Sequence, residues 1–73
     1  MSIENKTGIL YDGHLYDIDD GWVYSQADEQ LGRVVQDEMN EKFVILDLND
    51  ETVAVLHEYD PRVVVGILVN HAI

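Results

Sequence analysis

Cysteine is absent, which excludes disulfides, thiol nucleophiles and thiolate metal sites and fits a reducing compartment. Basic residues are scarce. Lys6, Arg33, Lys42 and Arg62 stand against fifteen carboxylates, for a formal net charge of −11. That field repels DNA, RNA and anionic membranes at long range, so direct binding to any of them is not expected. Proline occurs once, and no apolar run approaches the roughly 20 residues that cross a bilayer. The first residues, MSIENKTG, have no apolar stretch of the secretory type, and the expected location is the cytoplasm. Linkers, repeats and low-complexity tracts are missing too, so one domain over residues 1–73 is expected.

What is present is apolar enough to fold. Hydrophobic residues make up 47% of the chain, too many for a disordered acidic tail. A domain of this size buries only about 60% of its unfolded surface. Without disulfides it would gain from a partner or from oligomerisation, and a homodimer is one option.

Two Asp-Gly pairs, Asp12-Gly13 and Asp20-Gly21, lie between aromatic and β-branched residues. Asp-Gly is a preferred type I′ hairpin turn, so the first third reads as a three-stranded meander. Two-residue loops would pair Tyr11 with His14, Ile9 with Tyr16, and Ile18 with Val23. Ile9, Tyr11, His14, Tyr16 and Ile18 would then share the core face, with Leu10, Leu15 and Asp17 opposite.

From Ser25 the period changes. Ala27, Leu31, Val34, Val35 and Met39 form a stripe of helical spacing, with Ser25 as N-cap and Asp28 in the capping-box position. Gly32 within that stripe suggests close packing against a strand. Two further strand-like runs, residues 43–48 and 52–59, flank Asn49-Asp50-Glu51 and read as a hairpin. After Asp60-Pro61, residues 63–69 are almost continuously apolar. Their β-branched content favours a buried strand, although Asp60 as N-cap with Pro61 at the first helical position would equally open a helix. The expected fold is α+β, in the order β-β-β-α-β-β-β, with one amphipathic helix packed on a small antiparallel sheet.

Catalytic and metal-binding patterns fail on spacing. If Gly21 is the glycine of an EF-hand loop, Tyr16 falls where a carboxylate is required. Asp47, Asp50 and Glu51 read as solvated turn carboxylates. His14, His57 and His71 are too dispersed for a zinc motif. Ser2, Thr7, Ser25 and Thr52 each have a local explanation as terminus, cap or turn residue, and no nucleophile elbow or phosphate loop occurs. No enzyme activity, metal or cofactor is expected.

The charge itself is more informative. On the helical reading, Asp37, Glu38 and Glu41 sit at a helix C-terminus, where the dipole disfavours anions, with Arg33–Asp37 and Glu38–Lys42 as i,i+4 pairs. Asp17 and Asp19 would lie about 6.7 Å apart on one side of a strand. With Glu29 these groups would form an acidic surface that imitates a phosphate backbone, with Trp22, Tyr24 and Tyr59 as aromatic anchors. The candidate partner-binding residues are therefore Asp17, Asp19, Trp22, Tyr24, Glu29, Asp37, Glu38 and Glu41. By charge and size alone the chain resembles the small acidic inhibitors that phages direct against nucleic-acid-handling enzymes, a likeness no motif carries. The expected role is to mask a basic, nucleic-acid-binding surface of a partner protein. The alternative is an assembly module pairing through a C-terminal strand over residues 63–69.

Overall fold

The computed structural model describes residues 7–71; Ser2 and Lys6, named above, lie outside them. Six strands form one antiparallel sheet in sequence order: β1 (Thr7–Tyr11), β2 (His14–Asp19), β3 (Trp22–Tyr24), β4 (Gln30–Asp37), β5 (Lys42–Leu46) and β6 (Thr52–Leu56). Helix α1 (Pro61–His71) follows. It packs against β1, β4 and β6, so it touches both edges of the sheet as well as its centre.

The meander forms as its turn chemistry dictates. Asp12 and Gly13 have φ of 51° and 79°, and Asp20 and Gly21 have 52° and 85°. Type I′ turns require positive φ at both central positions. The resulting register pairs Tyr11 with His14, Ile9 with Tyr16, and Ile18 with Val23, as expected from the sequence. Ile18 and Val23 are buried, and Ile9, Tyr11 and Tyr16 pack around them. His14 belongs to the same side but is exposed beside the turn. Leu10 and Leu15, on the opposite face, are 63% and 47% exposed.

The α+β class and the packed helix hold, but the helix lies elsewhere in the chain. Residues 30–37 are not helical: they form β4, between β3 and β5. Only Leu31 and Val34 of the five-residue stripe pack on the core, while Met39 is 94% exposed. Ser25 does cap, but it caps a turn. Its Oγ accepts hydrogen bonds from the N–H groups of Ala27 and Glu29, both at 3.2 Å. Asp28 then adopts φ 62°, which ends any helix within its first turn. Tertiary pairing on both sides overrides the fortuitous helical spacing, helped by the β-branched pair Val34-Val35 and by Gly32.

Gly32 is where the sheet is tightest. A Cβ there would lie 2.4 Å from the Leu46 carbonyl oxygen and 2.7 Å from a Leu68 methyl carbon. The close packing expected of this glycine is real, though it occurs within a strand.

The C-terminal run is the helix, not a strand. The Asp60 side chain accepts a hydrogen bond from the Arg62 N–H (3.0 Å), its carbonyl accepts one from the Val64 N–H (3.0 Å), and Pro61 opens the first turn. This start overrides the β-branched content, because Val64, Val65 and Leu68 then fall on one face and fill the inside of the curved sheet. Among the described residues there is no strand at 63–69, and the assembly reading loses the element it depended on.

Candidate functional site

The sheet face opposite the helix carries Trp22, Tyr24 and two of the acids. Asp17 pairs with Tyr24 and Asp19 with Trp22 across β2 and β3. Val23, between the aromatics, is fully buried, so alternation turns Trp22 and Tyr24 outward with the two aspartates. All four side chains are partly exposed.

Arg33 extends this group. It is the cross-strand partner of Trp22 on β4, and its guanidinium carbon lies 5.4 Å from the Trp22 ring centroid, within cation–π range. Its Nη2 donates to Asp50 Oδ1 at 3.1 Å, while its buried Nε has no hydrogen-bond partner among the described residues. The expected Arg33–Asp37 helical pair does not exist. The Gln30 side-chain amide reaches the Tyr24 hydroxyl at 3.5 Å.

The other candidate residues lie apart from this patch. Glu29 precedes β4, and Glu38 and Glu41 follow it in the β4–β5 turn. At about 3.3 Å per residue, β4 separates Glu29 from them by roughly 25 Å. The expected continuous acidic surface is therefore divided between the outer face and the two ends of β4. The helix-dipole reading of Asp37, Glu38 and Glu41 falls with the helix. Asp37 is engaged locally instead: the Asn40 side-chain amide donates to its Oδ2 at 2.8 Å. That bond, with backbone N–H groups of the turn and nearby Lys42, holds its carboxyl below the usual range. Lys42 faces Asp37 across the hairpin, so the expected Glu38–Lys42 helical pair is absent as well. Glu38 and Glu41 are exposed.

Asp47 is not the solvated carboxylate expected. It is only 8% exposed, and its Oδ1 accepts hydrogen bonds from the N–H groups of Asn49 (2.8 Å) and Glu51 (3.0 Å), building the β5–β6 turn. His71 Nε2 lies 3.2 Å from its Oδ2, joining the last turn of α1 to that loop. The Glu51 N–H, then the Asn49 N–H and His71, hold the Asp47 carboxyl below the usual range. A depressed carboxyl contributes stability above its unfolded pKa of about 3.9, and that contribution is lost as pH falls through the lower folded value. Asp47→Asn should therefore flatten the acid limb of the stability profile. Urea midpoints measured from neutral pH down to about pH 3 check this; an unchanged acid limb in the variant would assign acid sensitivity to other groups.

Sequence reasoning missed Arg33 over Trp22 and Asp47 against His71. The first requires residues 30–37 to be a strand, and adjacent Val34 and Val35 leave no apolar–polar alternation there to announce one. The second depends on where the C-terminal segment lands, and nothing local encodes it. Among the described residues, no three His, Asp or Glu side chains gather as metal ligands. No helix of the structure is long and apolar enough to cross a membrane. No protein-family model, curated protein or solved structure matches the chain.

Proposed function

We propose that the chain is a protein-binding module whose outer sheet face engages a basic surface of a partner, of the kind such a partner uses to hold nucleic acid. The observation that carries this reading is the interleaving of Asp17 and Asp19 with Tyr24 and Trp22 in cross-strand register on one face. Aromatic side chains supply contact area at low entropic cost, and Trp and Tyr are the residues enriched where binding energy concentrates. The carboxylates beside them and the net charge of −11 steer a basic partner in and select against acidic ones. Arg33 is held against Trp22 and Asp50, so it stiffens the face more than it opposes the charge. Glu29, Glu38 and Glu41 contribute to the long-range field from the ends of β4, and Asp37 shapes its turn.

The test is capture of a partner from lysate on the immobilised chain, with elution by a salt gradient. A basic protein should be retained, excess RNA or DNA should displace it, and Asp17→Asn with Asp19→Asn should weaken retention roughly tenfold. Retention indifferent to salt, to polyanion and to these substitutions would sink the reading, as would the absence of any retained protein.

A further inference from the structure

We infer that β1, whose outer edge no other described strand covers, is a docking edge that takes an extended segment of the partner as a seventh strand, with apolar residues facing the helix and basic residues facing outward. This rests on the acidic-face reading and names the form of chain that face accepts.

Edge strands are ordinarily guarded by charges, proline or bulges. β1 is not guarded in that way, and β6 is guarded only by an irregularity in its pairing with β5 at Ile45/Leu46. β1 (TGILY) and β6 (TVAVL) contain no charged residue and no proline, in a chain where 26% of residues are charged. The two-residue turn after Tyr11 makes Tyr11–His14 and Ile9–Tyr16 the hydrogen-bonded pairs, so the N–H and C=O groups of Gly8 and Leu10 point away from β2. One cleft follows this edge, about 290 Å³ beside Gly8, Ile9 and Leu10 and bounded by Asp60, Pro61 and Arg62; a second, of about 600 Å³, meets β1 only at Tyr11 and runs over α1 from Arg62 to Val53 of β6. An extended backbone laid along β1 would satisfy the open groups of Gly8 and Leu10.

Charge selects the occupant. A second copy of the chain would bring another −11, so self-pairing through β1 is opposed. On the outer face, Gly8 lies directly between the added strand and Asp17, its partner on β2, and it has no side chain to obstruct the way. Asp17 is two strand spacings from the added strand, each about 4.8 Å, a span within reach of an extended lysine. Leu10 and Leu15, both exposed on that face, can take the apolar stem of such a lysine. On the helix side the opposite charges of Asp60 and Arg62 offset one another beside half-exposed Val63, so residues pointing there should be apolar and uncharged. Strand alternation converts these two demands into an apolar–basic–apolar–basic segment.

The probe is a short synthetic peptide alternating valine and lysine, compared with its valine–glutamate counterpart and with a lysine version N-methylated on alternate backbone nitrogens. Amide NMR of the whole chain reads the site. The lysine peptide should bind, slow hydrogen exchange at Gly8 and Leu10, and shift β1 resonances. N-methylation and the glutamate exchange should each weaken it at least tenfold. Equal binding of the N-methylated peptide, or shifts confined to Trp22 and Tyr24 with no protection at Gly8 and Leu10, overturns strand addition and leaves the acidic-face reading standing. No binding of any lysine peptide at low salt overturns both. Protection of Gly8 and Leu10 without peptide, together with sedimentation as a dimer, replaces the partner strand with a second copy.

Discussion

Gly32→Ala should be among the most damaging single substitutions in the chain, lowering stability by at least about 3 kcal/mol through overpacking at a site that cannot relax. The added methyl would approach the Leu46 carbonyl oxygen at 2.4 Å and a Leu68 methyl at 2.7 Å. The second clash is with the end of a flexible side chain and can yield. The first is with backbone of the neighbouring strand, held by pairing on both of its sides, and cannot. Shortening Leu68 in the same molecule should therefore fail to restore stability. Urea denaturation of the single and double variants decides this; a loss below about 1 kcal/mol for Gly32→Ala would mean that β4 and β5 separate more easily than their pairing implies.

The second large effect lies in the helix. Leu68 is 1% exposed and Val64 and Val65 are fully buried, whereas Val63 is 41% exposed. Leu68→Ala should cost about 2–5 kcal/mol, as for other truncations that leave a cavity in a closed core. Val65→Ala should follow in the same direction, and Val63→Ala should be close to neutral or slightly favourable, since alanine is the better helix former. A strand buried on both faces would make all three costly. Thermal or chemical unfolding of the three variants thus separates the two conformations that the sequence allowed for this segment.

The hairpins were legible because their determinants are local. Asp-Gly at 12–13 and at 20–21 admits few conformations other than a tight turn with positive φ, and the register of β1, β2 and β3 follows by counting. The tetrad Asp17, Asp19, Trp22 and Tyr24 was legible for the same reason. The middle of the chain was not. Leu31, Val34 and Val35 satisfy a helical period, and what defeats it is pairing with partners far along the sequence, above all the approach of Leu46 to Gly32. Asp28 carries a positive φ without a glycine to announce it. At the C-terminus the capping chemistry of Asp60-Pro61 was the better guide, and the β-branched residues after it misled because burial outweighs their small helix penalty. The acidic residues of the β4–β5 turn looked unfavourable only against a dipole that this segment does not possess.

The order of the sheet bears on how the molecule is made. Each strand pairs only with its neighbours in sequence, so every hairpin can close over a short loop without waiting for distant chain, a topology of low contact order that favours fast folding. The apolar side of the finished sheet, however, is covered by residues 61–71, the last of the described segments to leave a ribosome. Until they arrive, Ile18, Val23 and Ile45 have no lid, and the nascent meander passes through an interval in which its inner face is bare. Like charge between copies opposes their association during that interval, so the acidity of the chain bears on its assembly as well as on its finished surface.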